Sequence, residues 1–294
     1  MSNPLRTKHP AVSAIETVAT VFVLGYGLHY LGYFLRNRYF NWLGTFALDE
    51  GVLHALFYLG HTIFLAMFLI FAWAVKKDRK YILSFCRGKA ARNLLFAICG
   101  ALFGFALMAI CVFAARAHGD IVIGRSAGLS LPLFLLALFA VFIQSSTEEI
   151  ESRAFVFGKM HGEGVPLVWA SVASAFFFSY IHAANPGFGI LPLLSIFVVG
   201  VQYALSYHYF GSIWFTCTAH MMWNFTQDFI FGLPDSGKPA AVSVFSSAVT
   251  GSSFFYDETF GIEGSPMAIL VNLVACGLII LIGRSLSAGK RIDG

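Results

Sequence analysis

Three carboxylates and a guanidinium follow the apolar run 131–143, in the order Glu148, Glu149, Glu151 and Arg153. Charged side chains are rare in membrane segments because removing them from water is costly, so such a cluster is by default a candidate functional site. On a helix, Glu149 and Arg153 lie four positions apart with the acid first, the order that favours an ion pair. Glu148 points about 100° away and is left free for chemistry. The alternative is a solvated helix end at the membrane surface, and this stretch alone leaves both interpretations open.

Two further polar motifs lie in other apolar stretches of the sequence. Phe178 and His182 are four positions apart, as are His220 and Asn224, so each pair shares one helix face. A single histidine in a membrane helix is more often a packed core residue than a catalytic one. Two histidines, an asparagine and a pair of glutamates on three helices indicate an active site instead, provided that the three motifs can meet.

The composition shows what kind of element must position these residues. Of the 294 residues, 58% are hydrophobic and 12% are charged, and the mean hydropathy is +0.75. Soluble globular proteins are about 25% charged, so the sequence predicts a multispanning membrane protein. Apolar runs are spread along the chain without a long polar block, which favours a single membrane domain over 1–294. The five cysteines show no paired spacing, so neither a disulfide framework nor a cysteine metal site is predicted.

The apolar runs are each roughly twenty residues long, enough to cross the hydrocarbon core. They are continuously apolar rather than alternating, and helices satisfy every backbone hydrogen bond within one segment. The predicted fold class is therefore an all-α polytopic membrane helical bundle with about eight transmembrane helices. His29, His54 and His61 fall in or near the first two spans and are predicted to be packed or interfacial rather than ligands. The predicted spans are 12–34, 52–75, 93–115, 129–149, 165–184, 190–208, 211–232 and 266–283.

Basic residues are distributed unequally between the two sides of the predicted bundle. If the N-terminus is cytoplasmic, fourteen of the 19 lysines and arginines fall on the inner side and five on the outer side. Because basic residues accumulate on the cytoplasmic side, we expect an integral protein of the cell membrane with both termini in the cytoplasm. The basic segment 76–92 is expected to contact anionic lipid headgroups and not nucleic acid. The connection 233–265 is expected to be an outer loop.

Whether the three motifs meet depends on their depth in the membrane. Suppose that the fourth helix continues beyond its predicted span to about Met160. With a rise of 1.5 Å per residue, His182 and His220 then come within about 7 Å of the level of Glu148. A helix that stopped at the end of the span would leave His182 near the opposite face. We therefore predict an overlong fourth helix and three converging side chains, with Asn224 one turn from His220.

In order and spacing, the motifs resemble those of the CAAX protease and bacteriocin-processing (CPBP, or Abi) family of intramembrane proteases, relatives of the Ras-converting prenyl-protein endopeptidase. The resemblance covers about 131–237. One difference is Glu151, a third acid at a position where the family more often carries an apolar residue. Three motifs carry the resemblance: E-E-x-x-x-R at Glu148, Glu149 and Arg153, F-x-x-x-H at Phe178 and His182, and H-x-x-x-N at His220 and Asn224.

The resemblance implies a glutamate-dependent endopeptidase within an all-helical bundle that opens towards the cytoplasm. Glu148 with His182 would activate a water molecule, and His220 with Asn224 would stabilise the oxyanion of the tetrahedral intermediate. The implied substrate is a peptide or protein at the membrane, and the sequence leaves open whether it is prenylated at a C-terminal cysteine. The supporting residues would be Glu149, Arg153 and Phe178.

The chemistry also follows from the residue types. Peptide hydrolysis needs a general base for water and donors for the oxyanion, and such donors are worth more in a water-poor cavity. A zinc site is the competing interpretation, because Glu148, His182 and His220 also match the ligand set of a catalytic zinc with one open position. No H-E-x-x-H motif is present to hold two histidines on one turn. We favour catalysis that requires no cofactor.

Two other classes of function stay open. A catalytically silent membrane scaffold or a bacteriocin-immunity protein would keep the fold without the chemistry. A transporter would also explain charge within membrane segments, but the paired, proline-broken half-helices typical of transporters are not evident. The complete set of catalytic residue types favours an active enzyme.

Overall fold

The computed structural model describes residues 10–126 and 128–292. Two short strands, β1 (Ile121–Arg125) and β2 (Phe245–Val249), pair antiparallel. Single turns of 3-10 helix cover Leu83–Cys86 and Ile262–Gly264. The eleven α-helices of the described part are α1 (Pro10–Leu43), α2 (Glu50–Leu59), α3 (Thr62–Ala74), α4 (Arg79–Ile82), α5 (Ala90–His118), α6 (Leu131–Glu149), α7 (Gly158–Gly162), α8 (Leu167–Tyr180), α9 (Ile190–Phe210), α10 (Ile213–Phe225) and α11 (Pro266–Ile292).

The helical, multi-pass architecture is confirmed, and the protein is an integral membrane protein. Two of the eight predicted spans, 165–184 and 211–232, contain shorter helices, α8 with 14 residues and α10 with 13 residues. The number of eight transmembrane helices and the cytoplasmic location of both termini stay predictions. Within the described residues, six helical stretches are long and apolar enough to cross a membrane: Val12–Leu43, Glu50–Ala74, Ala90–His118, Leu131–Gly162, Ile190–Phe210 and Pro266–Leu286.

The distribution of side chains is that of a protein surrounded by lipid. Val23, Trp73 and Ile190 are each more than 70% exposed on the outside of the helices. In the interior, Glu149 and Arg153 are fully buried. Large apolar side chains are expected to face outward where lipid surrounds the helices. Charged groups are expected to face inward, where they line a polar site.

The fourth span is as long as predicted. Helix α6 continues through a π-helical segment, Ile150–Phe157, into α7, which gives an unbroken helical stretch of 32 residues to Gly162. A second π-helical segment, Thr226–Ile230, follows α10. Such wide turns are rare and are frequently found at functional sites. Here each of them begins within two residues of a predicted site residue, Glu149 in one case and Asn224 in the other.

Helix α10 is held in the middle of the bundle by a close approach to α5. A Cβ atom on Gly104 would collide with the carbonyl oxygen of Ala219, and one on Gly100 with that of Phe215. Only glycine therefore allows this packing, and it fixes the position of His220, the residue after Ala219. Helix α10 also packs against α6, which carries Glu148.

The connection 233–265 is folded onto the bundle. Strand β2 pairs with β1, which follows the C-terminus of α5, whereas the basic segment 76–92 precedes the N-terminus of that helix. The 29 residues of α5 separate the two regions by about 43 Å, so they lie on opposite sides of the bundle. Part of the connection also enters the interior, where Asp235, Ser236 and Glu263 are buried.

Candidate active site

The three predicted site residues converge. Glu148 lies at the end of α6, His182 directly after α8, and His220 within α10. The Oε2 atom of Glu148 is 4.0 Å from Nε2 of His182 and 3.9 Å from Nε2 of His220. Each separation is too long for a direct hydrogen bond and suits one bridging water molecule. The predicted convergence is confirmed, while the catalytic roles stay predictions.

The hydrogen bonds of the two histidines determine which ring nitrogen faces Glu148. Nδ1 of His182 donates to the carbonyl oxygen of Phe178 at 2.8 Å, and Nδ1 of His220 donates to Oε1 of Glu149 at 3.0 Å. Since these oxygens only accept, Nδ1 carries the proton in both rings and Nε2 is the nitrogen nearest to Glu148. In a neutral ring, Nε2 accepts a hydrogen bond. In an imidazolium, both ring nitrogens donate.

The first motif is braced by a buried ion pair. Nε of Arg153 lies 3.2 Å from Oε2 of Glu149, and both side chains are fully buried. The guanidinium carbon of Arg153 also lies 4.0 Å from the ring centre of Phe178 and 5.1 Å from that of Tyr203. Cations are attracted to aromatic faces at such distances. This geometry supports Glu149, Arg153 and Phe178 as positioning residues that hold His220.

A chain of amides orients Glu148. Nε2 of Gln144, one turn earlier on α6, donates to Oε1 of Glu148 at 2.7 Å. Nδ2 of Asn224 donates to Oε1 of Gln144 at 3.2 Å. Oε2 of Glu148 has no hydrogen-bond partner within the described chain. The carboxylate is therefore held by one oxygen, and its other oxygen is left between the histidines. Gln144 was not among the predicted site residues, although its i, i+4 spacing to Glu148 is a usable signal.

Glu148, His182 and Asn224 line a cavity with about 560 Å³ of empty volume. His220 lines a smaller adjoining cavity of about 320 Å³, which shares His182 and Ser236 with the first. Parts of the chain far from the three motifs complete the main cavity: His29, Arg36, Tyr58, His61, Ser236 and Lys238.

His61, which is predicted only to be packed or interfacial, lies beside Glu148. Its Nε2 is 3.7 Å from Oε1 of Glu148 and 3.0 Å from Nη1 of Arg36, and its Nδ1 is 3.0 Å from the carbonyl oxygen of Tyr58. Arginine only donates and the carbonyl only accepts, so His61 is a neutral ring between Arg36 and Glu148. It is buried and stacked on Phe64, as a packed residue would be, and it also lines the cavity.

Helix boundaries explain why these contacts were missed. The first span was predicted to end at residue 34, which placed Arg36 in an outer connection, but α1 continues to Leu43. The span 50–74 is interrupted at Gly60 and His61, between α2 and α3. An interrupted helix at membrane depth is tolerated where it lines a cavity. The break places the His61 ring beside Glu148.

The third acid of the first motif also has a partner. Oε2 of Glu151 lies 3.2 Å from Nδ1 of His29 in α1, and Glu151 is almost fully buried. His54 similarly lies 2.7 Å from Oδ2 of Asp228. Each of these histidines therefore compensates a buried carboxylate, which agrees with the predicted packing role.

Glu148, His182 and His220 are farther apart than the ligands of a zinc ion. Zn–N and Zn–O bonds of about 2.0–2.2 Å place two ligand atoms of a tetrahedral site about 3.4 Å apart. The corresponding distances from Glu148 to His182 and His220 are 4.0 and 3.9 Å. In the described part of the chain, no three His, Cys, Asp or Glu side chains are arranged to hold a metal ion. Zinc binding would require these side chains to move several tenths of an ångström closer together.

Comparison with known families identifies the segment that contains this site. Residues 130–226 match the family model described as Rce1-like, type II CAAX prenyl endopeptidase. No curated protein matches the chain. The matched segment contains all four candidate catalytic residues, whereas α1 to α5 and the connection 233–265 lie outside it. About a third of the chain, residues 130–226, is thus similar to the Rce1-like family of type II CAAX prenyl endopeptidases, which supports the resemblance seen in the motifs.

Proposed function

We propose that the protein is an intramembrane endopeptidase in which Glu148 is the general base. One observation carries this proposal: Oε2 of Glu148 is free of hydrogen bonds within the described chain and lies 3.9–4.0 Å from two histidine Nε2 atoms. A water molecule there donates one hydrogen to Glu148 and the other to Nε2 of His182. Its lone pair is then free to attack a peptide carbonyl.

The remaining groups suit the later steps. As the new C–O bond forms, Glu148 takes the water proton and the carbonyl oxygen becomes an oxyanion. His220, as an imidazolium, and the second N–H of Asn224 donate to that oxyanion. The C–N bond then breaks, and the proton held by Glu148 passes to the leaving amine, which gives a carboxylic acid and an amine. General-base action of this kind contributes about 10² to 10⁴ to a rate.

An apolar groove beside the cavity supports a lipid-like feature on the substrate. It has about 980 Å³ of empty volume and is lined by Phe40 and Leu53, among others. It shares Phe57, Tyr58 and Lys238 with the cavity that contains Glu148. We infer that a peptide prenylated at a C-terminal cysteine places its apolar chain in this groove while its backbone reaches Glu148. No cofactor is part of this proposal.

The side from which the substrate arrives follows from membrane orientation. The cavity is lined by Ser236 and Lys238 of the connection 233–265, on the side of the bundle opposite to the basic segment 76–92. Cytoplasmic placement of that segment would put the loop side of the cavity outside the cell. The two sequence-based expectations, cytoplasmic basic residues and a site open to the cytoplasm, therefore conflict. Reporter fusions at Lys80 and Pro239 are expected to lie on opposite sides, and they identify which side is cytoplasmic.

The proposal is tested with purified protein and a panel of fluorogenic peptides that carry prenylated or bare C-terminal cysteines. Glu148→Gln keeps the shape of the side chain and removes the proton acceptor, so cleavage is expected to fall by about 10² to 10⁴ while the protein still folds. Glu258→Gln makes the same chemical change at an exposed site and is expected to cleave normally. A chelator is expected to have no effect.

Three outcomes contradict parts of the proposal. Activity that disappears with a chelator and returns with zinc would make Glu148, His182 and His220 metal ligands. Undiminished cleavage by Glu148→Gln would remove the general base. If no peptide is cleaved and partner binding or immunity survives in Glu148→Gln, the chain is a scaffold or an immunity protein.

A further inference from the structure

The main cavity contains two cations that lie outside the family segment, Arg36 of α1 and Lys238 of the connection 233–265. Arg36 is 7% exposed, and Lys238 is partly buried. Both lie near the same aromatic ring: the guanidinium carbon of Arg36 is 4.8 Å, and Nζ of Lys238 5.7 Å, from the ring centre of Phe57. Placing two like charges together in a poorly hydrated site is unfavourable unless an anion lies with them.

Two carboxylates, Glu148 and Asp235, also line the cavity, but among the described residues neither forms an ion pair with Arg36 or Lys238. The Tyr58 hydroxyl lies 2.6 Å from Oδ2 of Asp235 and 2.7 Å from Oδ2 of Asp228 and donates its one proton to one of them, while Oδ1 of Asp235 accepts a hydrogen bond from Gln227 at 2.9 Å. Glu148 is held by an amide through one oxygen and faces the histidines with the other. Among the described residues, Lys238 forms no ion pair, and burial lowers its pKa relative to that of an ordinary lysine.

Arg36 also lacks an anionic partner in the described chain. Its Nη1 donates to the neutral ring of His61, which lies between it and Glu148 and takes up no charge. Its Nε is buried without a hydrogen-bond partner. A third donor of the cavity, Nδ2 of Asn185, is also buried and unpaired. The cavity thus presents buried donors on Arg36 and Asn185 that no acceptor of the described chain satisfies, together with a lysine that forms no ion pair there.

We propose that Arg36 and Lys238 form a subsite for a carboxylate of the peptide substrate. The inference rests on the proposed function, since a peptide bound at Glu148 occupies the cavity that these cations line. A carboxylate has two oxygens that accept from a guanidinium and an ammonium, and such charge-assisted hydrogen bonds are the strong ones. The carboxylate is either the C-terminus of the peptide or an acidic side chain near the cleaved bond.

The subsite is tested by equilibrium binding of three fluorescein-labelled, S-farnesylated peptides to the Glu148→Gln protein, which prevents cleavage during the measurement. The first peptide ends in a free carboxylate and the second in an amide. The third ends in an amide but carries glutamate as its last residue. Anisotropy gives the Kd of each peptide. The same measurements are made on two double variants, Glu148→Gln with Lys238→Gln and Glu148→Gln with Lys77→Gln. Lys77 is exposed, so its loss changes the net charge of the protein without changing the proposed subsite.

The free carboxylate is expected to bind about tenfold or more tightly than the amide. Lys238→Gln is expected to reduce that ratio to about twofold or less, whereas Lys77→Gln and the charge-conserving Lys238→Arg keep it. If the third peptide binds as tightly as the first, an acidic side chain is an accepted source of the carboxylate. If it binds like the amide, the C-terminus is the source.

Equal affinity for the carboxylate and amide peptides overturns the proposal. An equal loss of affinity for both peptides in Lys238→Gln, or no binding of any of the three peptides, also overturns it. These results are separate from the test of catalysis. Cleavage of carboxylate and amide peptides with the same efficiency leaves the protease intact and removes the subsite. If the protein with Glu148 intact cleaves none of the peptides but the Glu148→Gln protein binds carboxylate peptides selectively, the subsite proposal stands and the protease proposal is contradicted.

Discussion

The segment 130–226 and the rest of the chain contribute to the same cavity in different ways. Within the segment, the charges are interlocked: Arg153 pairs with Glu149, and Glu149 holds His220. Outside the segment, Arg36 and Lys238 line the cavity without a carboxylate partner among the described residues. The segment therefore pairs its own buried arginine, although His61 and His29 from outside it contact Glu148 and Glu151, whereas the two cations outside the segment are left for the proposed ligand.

Removal of one cation from each region is expected to give the largest difference in stability. Loss of one partner of a buried ion pair leaves an uncompensated charge, so Arg153→Leu is expected to destabilise the protein by about 3–5 kcal/mol. Lys238→Leu removes a cation that forms no ion pair with any described residue and is expected to leave stability unchanged or higher. Thermal unfolding of both variants in the same detergent checks the contrast. Equal destabilisation by Arg153→Leu and Lys238→Leu would show that the loss of a cation has the same effect in both regions.

The second prediction concerns the reaction centre itself. Asn224→Ala removes one proposed oxyanion donor and is expected to lower kcat by about 10² to 10³ with little change in substrate binding. The control, Asn41→Ala, makes the same change at an exposed position of α1 and is expected to leave kcat unchanged. Steady-state kinetics with a cleaved peptide provides both values. An Asn224→Ala variant that binds substrate poorly at normal kcat would move this residue from chemistry to binding.

The third prediction tests the packing between the two regions. A methyl group at Gly104 of α5 would collide with the carbonyl oxygen of Ala219 in α10, so Gly104→Ala must displace α10. We expect a loss of stability of about 1–3 kcal/mol, together with lower activity because His220 moves with the helix. Gly277→Ala adds the same methyl group to α11, where no described atom beyond its chain neighbours and its own helix backbone lies within 4 Å. It is expected to be neutral in thermal unfolding and cleavage, and equal effects of the two changes would exclude this account of the helix contact.

The elements of the segment were predictable because periodic rules govern them. The i, i+4 spacings of the three motifs and the rise of a helix were sufficient to predict that Glu148, His182 and His220 converge. The length of the fourth helical stretch followed from the same geometry. The two π-helical segments change the local register after Glu149 and Phe225 and have no periodic signature in the sequence.

The surroundings of the site were not predictable in this way. His61 precedes Glu148 by 87 positions and Lys238 follows it by 90, so only tertiary packing brings them together. The break at His61 and the continuation of α1 past Arg36 depend on that packing as well. The strand pair β1 and β2 lies in short, Gly- and Ser-containing stretches whose pairing joins residues more than a hundred positions apart.

The division between chemistry and binding is tested most directly by kcat and KM for Glu148→Gln and Lys238→Gln on one peptide with a free C-terminal carboxylate. The account predicts that Glu148→Gln lowers kcat by about 10² to 10⁴ with little change in KM, as expected when a general base is lost. Lys238→Gln is expected to raise KM by about tenfold with kcat nearly unchanged, as expected when binding alone is lost. A kcat that falls as steeply in Lys238→Gln as in Glu148→Gln, or that is retained in Glu148→Gln, would contradict it.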